Sequence, residues 1–438
     1  MTDSGILLKA YQYMCTARAM AAIYESNRSV CKYVHSVSSG HEAIQLATAF
    51  QLQPQDYVSP YYRDESLLLG LGFSPYELME QLLAKKDDIF SGGKAYYAHP
   101  NFNGAGKPRI IHQSSATGMQ AIPATGIAQG IAFREQAGTM DPGSVVLCSF
   151  GDASIEEGEV SEAFQFAVLK SLPIIYLVQD NGWGISVTAA ESRSMDAFSY
   201  AGGFPGLERI KIDGADFEQS FFCMQQAFDY VRKYRKPYLV HARVPLLSHH
   251  TSGVRMESYR TAEDLTEHRA LDPLPALKKQ LLYQGITDDH LSRIERTSVE
   301  QVAAEFTKAI ASVDPEPDSA DAFVFVPSPV REEKGERNPE GGKKILMVDA
   351  VLYALREILE DYPEAVLYGQ DVGKRLGGVF RETATLAAQF GEHRVFNTGI
   401  QEAYLIGSTV GMNAAGLKPV VEIQFGDYIY PGFNQLVS

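Results

Sequence analysis

Cysteine is scarce: Cys15, Cys31, Cys148 and Cys223 stand far apart in 438 residues and form no CxxC pair. This speaks against a disulfide framework and for a reducing compartment. Positive charge is also short, with 39 Lys and Arg against 54 Asp and Glu, a net charge of −15, and no Lys/Arg-rich block. Phosphate contacts along a nucleic acid need a clustered positive field, so a general nucleic-acid binder is excluded and small molecules or proteins are the expected partners. No run approaches the roughly 18 to 20 apolar residues of a membrane span. The start MTDSGILLKAYQYM lacks the basic and apolar regions of a secretory signal and the Arg/Ser-rich character of a transit peptide, so the cytoplasm is the expected location. What remains, with 45% hydrophobic residues, describes a globular protein of two or three domains.

Between Ser312 and Lys344 the text gathers Pro315, Pro317, Pro327, Pro329 and Pro339 with charge and glycine but no sustained periodicity. Proline fixes φ and withholds a donor, so this stretch reads as an extended tether. The expected organisation is one domain over 1–314, a linker over 315–343 and a second domain over 344–438. In the first, SVVLCSF (144–150) and PIIYLVQ (173–179) are short β-branched runs typical of parallel strands buried on both faces. Between them Val160, Ala163, Phe164, Ala167 and Val168 share a helical face, giving a strand-helix-strand unit. ERIKID (208–213) and PYLVHARV (237–244) repeat the unit around Phe217, Phe221, Met224, Phe228 and Val231. After the linker, Val348, Leu352, Leu355 and Leu359 form a helical stripe, and AVLYGQD, RVFNT and KPVVEIQF read as strands. The fold class is α/β with two mostly parallel sheets, the second domain short for a complete doubly wound unit.

Two motifs carry chemistry. GDASIEEGE (151–159) directly follows one expected strand and DNGWGIS (180–186) the next. Open α/β sheets bind ligands at the carboxyl ends of their strands, so Asp152 and Asn181 are expected side by side across a crevice. A carboxylate and an amide oxygen are hard ligands suited to Mg²⁺, which usually shares its other positions with water and substrate phosphate, so a diphosphate is implied. Taken singly, each motif is ordinary strand-to-turn punctuation, where Asp and Asn bond their own backbone. Two of them at consecutive strand ends make the stronger case.

The pair resembles the motif of the thiamine-diphosphate enzymes, a Gly-Asp-Gly followed by a helix, a strand and an Asn-Asn or Asp-Asn pair. The segments YYRDES (61–66), HQSSATGMQAIPATG (112–126), GDASIEEGE and SHHTSGVR (248–255) look like the α chain of a decarboxylating 2-oxo acid dehydrogenase. LYGQDVG, RVFNTGIQEAYLIGSTVGMNAAGLKPVVEIQF and DYIYPGFNQ look like the start of its β chain. The resemblance implies the thiamine-diphosphate-binding fold on a fused α-β chain whose β part is incomplete. It also implies thiamine diphosphate with Mg²⁺ held by Asp152, Asn181 and the Trp183 carbonyl, with Gly151 and Ala153 in the same loop. Ala153 replaces the motif's second glycine, tolerable if its backbone is not left-handed.

By the same resemblance, Tyr62 and Arg63 reach the diphosphate, Ser115 and Thr117 line the ring pocket, and His250 stands near the substrate carboxylate, where a histidine titrates in a useful range. His249 is support. Glu402 matches the carboxylate that bonds the aminopyrimidine ring. Its bland alternative is a helix first-turn acid, since Thr398 and Gln401 have capping-box spacing. Many members of the family it resembles carry Arg at the positions of Gln179 and Leu246, a loss that Arg63, Arg243 or Arg255 would have to make good. The expected activity is decarboxylation of a 2-oxo acid, branched-chain favoured over pyruvate or acetoin. The acyl group would pass to the lipoyl arm of a partner acyltransferase, and two fused chains would pair as a dimer. A transketolase-like transferase and an inactive cofactor-binding fragment are the competing readings.

Overall fold

The computed structural model describes residues 2–111, 114–322, 324, 332, 335–337 and 340–437. Six strands form the first sheet: β1 (Tyr57–Ser59), β2 (Arg109–Ile110), β3 (Val146–Gly151), β4 (Ile174–Asp180), β5 (Glu208–Asp213) and β6 (Tyr238–Arg243). All pairings are parallel, in the order β2-β1-β3-β4-β6-β5. Alternation along the central strands explains why they read as continuous apolar runs. Leu147, Ile175, Leu177 and Val240 enter a core on one face, while Val146, Cys148, Phe150, Ile174, Tyr176 and Val178 enter the core on the other. A strand covered on both faces has no polar side to show.

The expected helices are present as Gly158–Lys170 and Phe217–Tyr234, the latter capped by Asp216, whose carboxylate accepts the Gln219 N–H at 2.9 Å. Residues 152–156 first make a 3-10 turn, and the helix that carries this face begins at Gly158. In the stretch expected to be a tether, Pro317–Ser319 forms a single 3-10 turn. The four cysteines are free thiols, and among the described residues no helix is long and apolar enough to cross a membrane.

The second sheet is parallel too, β8-β7-β9, from β7 (Ala365–Gly369), β8 (Val395–Asn397) and β9 (Lys418–Val421). Its Met347–Asp361 helix buries only Leu359 of the expected stripe, with Val348, Leu352 and Leu355 half-exposed. The two sheets are joined through helices. Ala121–Gln136 lies directly against Glu402–Ala414, with glycines where the backbones meet: a Cβ on Gly411 would stand 1.9 Å from the Pro123 carbonyl oxygen, and one on Gly126 2.4 Å from that of Ser408. Tyr404 completes the joint, its ring stacked on Phe166 with centroids 4.0 Å apart and its hydroxyl donating to Gln129 Oε1 at 2.7 Å.

Candidate active site

The chain leaves β1 toward β2 on one side, and leaves β3 toward β4 on the other, so the strand order reverses between β1 and β3. A crevice opens at such a switch point beyond the carboxyl ends of the strands. Tyr61, Tyr62 and Arg63 follow β1, Gly151 and Asp152 end β3, and Asp180 and Asn181 end β4, with Gly151 in register with Gln179. The walls are tight: a Cβ on Gly151 would lie 3.0 Å from the Tyr61 hydroxyl oxygen. Ala153 is not among the residues with positive φ, so the replacement of glycine there is unstrained.

A third wall comes from the loop after β6. It folds back over residues 35–40: Leu247 N–H donates to the Ser39 carbonyl, Ser252 N–H to that of His35, and the Ser36 hydroxyl to that of His250 at 2.7 Å. His250 is thereby buried, its Nε2 3.1 Å from the Tyr62 hydroxyl. Burial, reinforced by the Arg63 guanidinium, lowers its pKa to about 3. The expected titration in a useful range is therefore opposed by these surroundings, which favour the neutral imidazole. His249 stays outside, its Nδ1 accepting from the Met256 N–H.

Arg63 is fully buried. Its Nε donates to the Tyr61 hydroxyl at 3.1 Å and its Nη1 to the His250 carbonyl at 3.2 Å, while Nη2 meets no hydrogen-bond acceptor in good geometry among the described residues. A buried guanidinium with an unmet donor is costly unless an acceptor arrives, so this cluster suits an anion.

Gln179 does not offer itself to a ligand. Its Oε1 accepts from Gln45 Nε2 at 2.9 Å and bonds His41 Nδ1 at 2.8 Å, while its Nε2 donates to Asp64 at 2.6 Å and to Ser149 at 2.9 Å. This buried network reaches Asn181, whose amide nitrogen lies 3.4 Å from His41 Nε2 and whose Oδ1 accepts the Trp183 N–H at 3.1 Å. Leu246 is a core residue. Of the three arginines expected to compensate, Arg63 is buried behind β1 beside Tyr61 and His250, Arg255 is paired with Glu25 at 2.9 Å, and Arg243 lines a neighbouring cavity of about 600 Å³ with Asp180, Asn181 and His268. The guanidinium at Asp152 is one the sequence reading missed. Arg193 Nη2 stands 2.6 Å from Asp152 Oδ2 and 3.6 Å from Asp180 Oδ1. Burial and the Asp180 carboxylate push the Asp152 pKa up against the pull of Arg193, while Asp180, bonded by His241 at 2.8 Å, is held below the usual carboxylate range. Nothing in the spacing of TAAESRSMD marks Arg193; only the return of its loop to the strand ends does.

The remaining candidates stand apart. Ser115 and Thr117 are exposed on the loop before Ala121, and His112 and Gln113 of the same segment lie outside the described residues. Trp183 is half-buried, with its indole N–H 3.3 Å from Asp264 and Arg260 over its ring. Glu402 opens its helix and accepts from Gln370 Nε2 at 2.8 Å. Among the described residues, no hydrogen bond or ion pair joins Glu402 to Asp152, Asn181 or His250. The capping box expected around it does not form: Gln401 is the N-cap without a side-chain cap bond, and Thr398 bonds the Gly399 carbonyl. No cluster of three or more His, Cys, Asp or Glu suited to a metal occurs among the described residues, so a cation here would rest on one carboxylate with amide and carbonyl oxygens.

The family model described as "Dehydrogenase E1 component" matches residues 11–318. The chain belongs to this family. A second match, "Transketolase, pyrimidine binding domain", covers 343–438, so both parts of an E1 component are represented on one polypeptide. The chain is 31% identical over 288 residues to the 2-oxoisovalerate dehydrogenase subunit alpha of Bacillus subtilis, covering 64% of this chain and 82% of that protein. It is 25% identical over 335 residues to the mitochondrial subunit alpha 2 of Arabidopsis thaliana, covering 75% and 69%. To the mitochondrial human subunit alpha it is 26% identical over 334 residues, covering 75% and 73%. The family is one of oxidoreductases, and the two domain types imply thiamine diphosphate as cofactor.

Proposed function

We propose that this protein decarboxylates a 2-oxo acid with thiamine diphosphate and Mg²⁺ and hands the acyl group to the lipoyl arm of a partner acyltransferase. The observation that carries this reading is the switch point between β1 and β3: buried Arg63, with one donor unmet among the described residues, follows β1, while Asp152 and Asn181 follow the ends of β3 and β4. Unmet donors fit a diphosphate, and hard oxygens beside them fit its cation. In this reading Asp152, Asn181 and the Trp183 carbonyl hold Mg²⁺, with Gly151 and Ala153 giving the loop its shape. Tyr62, Arg63 and His250 meet the diphosphate and the substrate, and Ser115 and Thr117 line the ring pocket. Residues 1–314 carry this half of the site, 315–343 tether, and 344–438 supply Glu402 for the aminopyrimidine ring. The bound cofactor supplies the electron sink for decarboxylation, and the protein supplies placement and charge.

Branched-chain 2-oxo acids are the favoured substrates, on the names of the relatives above. The E1 match over 11–318 speaks against a transketolase-like transferase. Because no bond links Glu402 to Asp152, Asn181 or His250 among the described residues, the reading has two chains pairing so that each crevice receives a Glu402. Calorimetric titration of thiamine diphosphate, with and without Mg²⁺, tests it. Saturable binding that needs Mg²⁺ and is lost in Asn181→Ala is expected. No binding by well-folded chain would leave it an inactive member of its family.

A further inference from the structure

Arg193 closes a four-residue helix, Ala189–Ser192, whose start is held by a reciprocal pair: Glu191 Oε2 accepts both the Thr188 N–H and the Thr188 hydroxyl at 2.8 Å. Its own N–H donates to the Ala189 carbonyl at 2.9 Å. From this fixed root the side chain, 7% exposed, turns inward to the strand ends. One guanidinium there serves three carboxylates: Asp152 at 2.6 Å, Asp180 at 3.6 Å and Glu156 at 3.8 Å. Its Nη1 is buried without a hydrogen-bond partner among the described residues. Asp180 is further committed, accepting from Gly182 N–H at 3.0 Å and bonded to His241. Asp152 therefore has Arg193 as its main counter-charge.

We infer that Arg193 is a built-in counter-cation that makes divalent-cation binding at Asp152 conditional on the diphosphate. The inference rests on the reading of Asp152 as a metal ligand. A bare cation approaching Asp152 meets a guanidinium already on the same carboxylate, and two positive charges in a buried site repel with little screening. A diphosphate arriving with its cation reverses the balance, since its negative charge gives the guanidinium, with its spare Nη1 donor, a second acceptor. Arg193 is thus a positioning residue acting through Asp152. It supplies positive charge in a crevice where Gln179 is consumed by its own network.

The test is Mn²⁺ binding by the full chain, read from the electron paramagnetic resonance signal of free Mn²⁺, with and without inorganic pyrophosphate. Thermal unfolding verifies that each variant is folded. Arg193→Gln should bind Mn²⁺ alone at least tenfold more tightly than wild type, and the factor by which pyrophosphate tightens Mn²⁺ should shrink at least tenfold. A merely structural role would not move these two readings in opposite directions. Arg193→Lys keeps the charge and should stay within threefold of wild type for Mn²⁺ alone; tightening as large as that of Arg193→Gln would overturn the inference. So would unchanged or weaker binding of bare Mn²⁺ in folded Arg193→Gln. If wild type binds Mn²⁺ with pyrophosphate and Asp152→Asn abolishes it, such a result sinks only the counter-cation role. If wild type and Arg193→Gln both fail to bind Mn²⁺ even with pyrophosphate, the metal reading of Asp152 falls too.

Discussion

The Glu162 carboxylate accepts the backbone N–H of Tyr404 at 2.8 Å, so the helix that follows the Asp152 loop caps the helix that begins with Glu402. The Glu162 carbonyl also accepts from the Gln401 side chain at 3.1 Å. Satisfaction of the free first-turn donors, which a local capping box normally provides, here comes from 242 residues away. The Glu402 end of its helix is thereby tied to the first sheet.

Glu162→Ala should destabilise the chain by about 1–2 kcal/mol, the cost of a lost cap that leaves a partly buried donor unmet. Denaturant unfolding checks this. A change within a few tenths of a kcal/mol would mean that the cap is decorative and that Tyr404 alone holds the joint.

The glycine contact between the two helices gives a prediction with competing signs. Alanine is favoured over glycine inside a helix by about 1 kcal/mol. A methyl group on Gly411 would, however, meet the Pro123 carbonyl oxygen at 1.9 Å and Ile127 N at 2.6 Å, and the helices must separate to admit it. Overpacking of this kind costs about 1–3 kcal/mol and here exceeds the propensity gain. Gly411→Ala should be destabilising in denaturant unfolding, while Gly158→Ala, where a Cβ meets nothing within 4 Å, should be neutral or slightly stabilising.

The central strands were legible because burial on both faces leaves a continuous apolar run, and β3 to β6 begin and end within two residues of their expected bounds. β1 and β2, with three and two residues, are too short to carry a periodic signal, yet β1 makes one side of the crevice. In the site, Asp152 and Asn181 could be placed because strand ends follow from strands. The burial of His250 could not, since it depends on a loop folding over Ser36 and Ser39, more than 200 residues earlier. Arg193 was hidden for the same reason: a counter-ion delivered by a returning loop leaves no pattern in spacing.

Glu65 makes stability depend on pH. It is fully buried, accepts from the Tyr97 hydroxyl through Oε2, and has no partner for Oε1 among the described residues. Burial raises its pKa from 4.5 to about 8. A carboxyl raised in the folded state holds its proton where the unfolded chain has lost it, so its contribution is most favourable below pH 4.5 and is lost as pH rises toward 8. Glu65→Gln keeps the shape without the titration. Urea unfolding should show wild type losing roughly 2–4 kcal/mol more than the variant between pH 5 and pH 8. Parallel curves would mean that Glu65 is ionised in the folded chain.

Glu402→Gln separates a structural role of this residue from a chemical one. The side chain is half-buried and its hydrogen bond from Gln370 Nε2 can be kept by a glutamine oxygen. Folding should therefore be unchanged, with denaturant midpoints matching wild type. What the amide cannot do is exchange a proton with the aminopyrimidine ring, and positioned acid-base groups contribute about 10²- to 10⁴-fold. Deuterium exchange at the thiazolium carbon of bound thiamine diphosphate, followed by proton NMR, should slow by at least about a hundredfold. Normal exchange with normal stability would assign Glu402 to the helix first turn alone. Slow exchange with lowered stability would show that the carboxylate also braces the joint that Glu162 caps, and Glu162→Ala would then slow exchange as well.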